Sequence, residues 1–142
     1  HVTGVQTCAL PISLGDIELP LFAVGTVRDH VSPWRSVYRI HLLTDTEVTF
    51  LLTTGGHNAG VVSEPGHAGR TYQVATRARN AKYVDPETWR ATVPASEGSW
   101  WPEWQRWLAR HSTGRARPPA MGAPARGYAP LAEAPGQYVL VP

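Results

Sequence analysis

With 142 residues and 42% hydrophobic content, the chain has enough material for one modest domain with an ordinary core. A formal net charge of +2 gives no field to gather nucleic acid or an anionic membrane, and no run of 18 apolar residues is present to span a bilayer. The single cysteine, Cys8, excludes an internal disulfide and fits a reducing, cytoplasmic setting.

Residues 1–13 carry no hydrophobic period, and Pro11 would interrupt a helix there. They also lack the basic and then apolar order of a secretory signal. In "LGDIELPLFAVGT" the apolar run from Pro20 to about Val24 predicts a short strand covered on both faces. The loop "RDHV" then leads to Ser32 as an N-cap and Pro33 at the first position of a helix reaching about Leu43. Trp34, Val37, Tyr38 and His41 recur on it at helical spacing. "EVTFLLTT" predicts a second strand ending at Gly55 and Gly56. Strand, helix and strand make one βαβ crossover of a parallel sheet, with both connecting loops at strand C-termini.

Further along, "RTYQVATRA" reads as a short extended piece, and "DPETWRATV" as a short helix capped by Asp85 with Pro86 in its first turn. "SEGSWWPEWQRWLARHS" holds the strongest helical stripe: Trp100, Trp104, Trp107 and Leu108 fall at i, i+4, i+7 and i+8. That spacing favours packing against a core or a partner over stacking on sugar or nucleic acid. From Thr113 the composition turns to Gly, Pro, Ala and Arg, which predicts an exposed, poorly ordered tail. The expected organisation is a leader over 1–13, an α/β region over 14–112 and a tail over 113–142.

Two residues stand out for chemistry. Asp29 and His57 each follow a predicted parallel strand, where open α/β sheets gather ligands and catalytic groups. Gly55, Gly56 and Gly60 flank His57 and permit tight backbone turns. The structural alternatives are a turn or cap residue for Asp29 and a hydrogen-bonded loop histidine for His57, and spacing alone leaves both readings open. Ser32, as the expected cap, weakens the structural reading of Asp29. His30, His41 and His67 match no zinc-ligand spacing with Asp29, so no metal site is expected.

The boxes "LFAVGTVRDHVSPW", "TTGGHNAGVVSEPGH", "YQVATR", "YVDPETW" and "GSWWPEWQRWL", in that order, resemble the C-terminal part of class I polyhydroxyalkanoate synthases from about Leu14 onward. That resemblance implies a partial α/β-hydrolase fold and a Cys-Asp-His triad, in which Asp29 of the D-H-x-x-P-W box is the acid and His57 of the G-G-H box the base. His30, Trp34 and Asn58 are the expected neighbours supporting the pair. The implied activity is polymerisation of (R)-3-hydroxyacyl-CoA into an intracellular polyester with release of coenzyme A, in an oligomeric enzyme at the granule surface. The thioester is substrate, and no cofactor is implied. Asp29 either orients His57 or also activates the substrate hydroxyl.

The family's nucleophile sits far upstream in a G-x-C-x-G elbow, and Cys8 does not meet that requirement. It stands in "VQTCALPI", with no glycine two residues to either side, only 21 residues before Asp29. "VTGVQTCALPI" resembles a translated sequencing adapter, so the leader is expected to be non-native and Cys8 is not the nucleophile. Two alternatives remain. One is a fragment of a lipase, esterase or depolymerase with a serine in a G-x-S-x-G elbow. The other is a non-catalytic binding module built on the tryptophan helix, which two core strands alone would not support.

Overall fold

The computed structural model describes residues 13–141; Cys8 and the rest of the leader up to residue 12 lie outside them. The described residues form two compact units, one ending at His111 and one beginning at Ser112.

In the first unit, β1 (Leu21–Thr26) runs parallel to β2 (Val48–Thr53), with partners from Leu21 and Val48 through to Thr26 and Thr53. The expected crossover is present. Its single helix is instead two short ones, α1 (Trp34–Tyr38) and α2 (Ile40–Leu43). The break falls at Arg39, whose N–H bonds back to the Ser36 carbonyl, three residues away, which tightens the last turn of α1. Ser32 is not the N-cap. Pro33 holds that position without a side-chain cap, and the Ser32 N–H is taken by the Asp29 carboxylate.

Beyond β2 the sheet departs from the parallel expectation. β3 (Thr71–Arg77) is antiparallel to β2, and β4 (Ala95–Glu97) is antiparallel to β3, giving a four-stranded mixed sheet in the order β1-β2-β3-β4. The cause is the connection: residues 54–70 contain no helix, and a helix is the usual means of carrying a chain back into parallel register. The last two helices are α3 (Pro86–Thr92) and α4 (Trp101–Arg110). Asp85 caps α3 as expected, accepting the N–H groups of Glu87 and Thr88.

All six residues of β2 are buried, so its side chains feed two cores by simple alternation. Phe50 and Leu52 join Trp34, Tyr38 and Trp89 on one face, while Leu51 joins Tyr72 and Trp100 on the other. The first cluster is knit by edge-to-face rings, Tyr38 on Phe50 at 4.9 Å and Phe50 on Trp89 at 5.1 Å. Such pairs contribute about 0.5–1.5 kcal/mol each beyond area burial. Gly25 sets how closely α1 sits on β1, since a Cβ there would meet the Trp34 Cβ at 3.0 Å. The tryptophan stripe is only partly a core: Trp100 is buried, but Trp104 and Leu108 are exposed.

The second unit consists of short turns. Ala123 and Tyr128 bridge around a 3₁₀ turn at Pro124–Arg126, and a second such turn covers Tyr138–Leu140. Nearly every residue in it is exposed. Among the described residues no helix is long and apolar enough to cross a membrane.

Candidate active site

Strand register brings the site together. Thr26 and Thr53 are direct partners at the ends of β1 and β2, and pairing continues past them through Val27 N–H to the Thr53 carbonyl and Arg28 N–H to the Gly55 carbonyl. Asp29 lies three residues beyond Thr26 and His57 four beyond Thr53, so the two parallel strands deliver both side chains to one edge. His57 Nδ1 lies 2.9 Å from Asp29 Oδ2 and 3.1 Å from Oδ1. These separations fall within hydrogen-bond reach.

Asp29 is a turn residue and also meets His57. Its Oδ1 accepts the Val31 N–H at 2.9 Å and the Ser32 N–H at 2.8 Å, which makes it the turn residue at the entry to α1. The same carboxylate holds His57. Its pKa lies below the ordinary carboxylate value, first because of the Ser32 N–H, then through the hydrogen bonds from His57 and Val31, with partial burial opposing them. The Asp29 side chain is 8% exposed and that of His57 is 45% exposed. An ionised carboxylate at Nδ1 selects the tautomer with the proton on that nitrogen, and in the neutral ring Nε2 then keeps its lone pair. The pair can therefore hold and move a proton at Nε2.

The loop carrying His57 turns on itself through the Gly60 N–H to the Gly56 carbonyl, and through the Val61 and Val62 N–H groups to the Asn58 carbonyl. Two glycines are required here. Gly55 has φ +119° and would place a Cβ 2.6 Å from the Gly60 Cα, and a Cβ on Gly60 would meet Thr26 Cγ2 at 2.5 Å. Gly56 has no such constraint, its nearest neighbour being 3.8 Å away.

The expected supporting residues fare differently. Asn58 shapes the His57 turn through its carbonyl, Trp34 is buried in the aromatic cluster beneath Gly25, and His30 is exposed next to Asp29 in the chain. Sequence reasoning missed Thr26, Trp100 and Trp101, whose side chains donate to the carbonyls of Gly56, Gly60 and Val61 on the His57 loop. Among the described residues no group of three His, Cys, Asp or Glu side chains converges to hold a metal.

No protein-family model matches the chain. Whole-chain comparison gives clear relatives. Poly(3-hydroxyalkanoate) polymerase 2 of Ectopseudomonas oleovorans is 36% identical over 140 residues, covering 99% of this chain and 24% of its own length. Over nearly its whole length the chain is a homologue of part of the poly(3-hydroxyalkanoate) polymerases. The polymerase subunit PhaC of Cupriavidus necator is 33% identical over 135 residues, and that of Rhizobium meliloti is 36% identical over 130. The chain spans 22% and 20% of those two polymerases, respectively. Similarity runs through the Asp29 and His57 loops and across the strands that carry them, since each alignment takes in nine-tenths or more of the chain.

Proposed function

We propose that this chain is the acid–base portion of a class I polyhydroxyalkanoate synthase, lying toward the C-terminus of the intact enzyme and formed from the last strands of an α/β-hydrolase sheet. The observation that carries the reading is the Asp29–His57 pair at the ends of adjacent parallel strands, in a chain related to polymerases several times its length. The nucleophile is a cysteine on a preceding segment. His57 Nε2 takes the thiol proton, because the thiolate is the attacking species. Thiolate attack on an (R)-3-hydroxyacyl-CoA forms the acyl-cysteine thioester, and the proton held by His57 leaves with the coenzyme A thiol. In transfer, His57 removes the proton of an incoming hydroxyl, the oxygen attacks the acyl-cysteine, an ester forms, and the thiolate is released.

Asp29 fixes the tautomer of His57 and stabilises the imidazolium. The environment of Asp29 favours this orienting role over direct activation of the substrate hydroxyl, because both carboxylate oxygens are already engaged and the side chain is nearly enclosed. The test is to exchange this chain for the matching quarter of the Ectopseudomonas oleovorans polymerase and supply 3-hydroxybutyryl-CoA. Coenzyme A release with polymer formation is expected. Free 3-hydroxybutyrate in place of polymer would make the chain part of a hydrolase. The gene sequence upstream of Leu14 should encode a G-x-C-x-G elbow, and G-x-S-x-G there would contradict the proposal.

A further inference from the structure

We propose that Trp100 and Trp101, at the start of α4, are positioning residues that hold the His57 loop at the register its hydrogen bond to Asp29 requires. The inference rests on the reading of His57 as the base.

Residues 54–62 form no helix or strand, and the few backbone hydrogen bonds within the loop leave other carbonyls to take donors from elsewhere. Besides the Thr54 carbonyl, which accepts the adjacent Thr53 hydroxyl, three carbonyls of this segment are held by side chains from other parts of the fold. The Thr26 hydroxyl donates to the Gly56 carbonyl at 3.2 Å, one residue before His57. The Trp100 indole N–H donates to the Gly60 carbonyl at 3.2 Å, and that of Trp101 to the Val61 carbonyl at 3.0 Å. The two indoles thus act three and four residues after His57, from a helix about 40 residues further along the chain. The anchorage extends one step further: the Ser99 hydroxyl donates to the Ser63 carbonyl while accepting the Trp101 N–H.

Two features make this a clamp. Trp100 is 5% exposed, so its N–H has no ready exchange of partner with water, and displacing Gly60 would strand a buried donor. On the opposite side Gly60 packs against Thr26 with no space for a Cβ, so the loop cannot shift toward β1 to escape. The loop is therefore gripped between β1 and the start of α4, and the indole N–H groups act on its carbonyls rather than on the His57–Asp29 pair. Their chemistry is specific: phenylalanine keeps most of the ring and loses the donor.

The test follows solvent exchange of the His57 Nδ1 proton by NMR in the full chain, comparing wild type with Trp100→Phe, Trp101→Phe and, as a control, Trp89→Phe. Trp89 is buried in the cluster on the other sheet face, so its variant reports a purely structural loss. Exchange is expected to rise about fivefold in Trp100→Phe and Trp101→Phe, the effect of one ordinary hydrogen bond, while the β2 amides stay protected. Trp89→Phe should loosen the β2 amides and the His57 proton together. Should Trp100→Phe fail to fold, the half-exposed Trp101→Phe carries the test. Unchanged His57 exchange in the folded variants, or a rise only in step with the β2 amides, would overturn the proposal. The readout needs no turnover. If His57 is not the base, the exchange effect will persist while the exchanged polymerase keeps its activity in His57→Gln, so the two failures are distinguishable.

Discussion

The two halves of the sheet do different work. In the parallel half, β1 and β2 end on the same edge, so loops only a few residues long bring Asp29 and His57 into contact with no long-range arrangement beyond strand register. In the antiparallel half, β3 runs away from that edge and β4 comes back toward it, so the chain following β4 enters α4 where its indole donors hold the His57 loop. Parallel pairing can juxtapose two groups unaided. Keeping a glycine-rich loop still requires donors from an element that arrives later in the chain.

That contrast can be tested by separating chemistry from packing. The largest effect is expected for Asp29→Asn in the exchanged polymerase. An asparagine keeps an oxygen for the Val31 and Ser32 N–H groups, and so the turn, but loses the charge on His57; coenzyme A release should fall about 10³-fold or more with the circular dichroism spectrum unchanged. Next comes the covering of the parallel strands by α3: Trp89→Ala should cost about 3–5 kcal/mol in urea unfolding by emptying the cluster around Phe50.

A comparable loss should appear on acidification. His41 is buried with both ring nitrogens unpartnered, and burial, followed by the Arg77 charge, lowers its pKa from 6.5 to about 4. A histidine with a depressed folded pKa stabilises fully above its unfolded value. Stability should therefore fall between about pH 6.5 and pH 4, by on the order of 3 kcal/mol, and His41→Phe should flatten that slope. The contribution of Asp29 lies in a different window. Because its folded pKa is depressed, it persists down to the ordinary carboxylate range and is lost as pH drops further. The smallest effect is expected for Asp85→Ala, about 1 kcal/mol from loss of the α3 cap.

The parallel half was the legible half. A continuous apolar run such as "VTFLLT" announces a buried strand, and glycines just after a strand mark a tight loop such as the one carrying His57. Asp85 with Pro86 announced its helix because capping chemistry is local. β3 was harder to assign, since its half-buried alternation is weak and its direction depends on a loop whose path composition does not encode. β4 has three exposed residues and no apolar signal. Ser32 was misassigned because a serine before a proline satisfies the capping pattern, whereas the local N–H groups went to the stronger acceptor, the Asp29 carboxylate. The tryptophans read as core because periodicity reports faces and says nothing of where an indole N–H points.

The most direct measurement of the role of the pair is the rate of coenzyme A release from 3-hydroxybutyryl-CoA by the exchanged polymerase, with His57 intact and as His57→Gln. Glutamine can still hydrogen-bond to Asp29 but cannot accept and return a proton at neutral pH. A fall of about 10²–10⁴-fold with folding preserved is expected. Release within a few-fold of the unsubstituted protein would contradict His57 as the base.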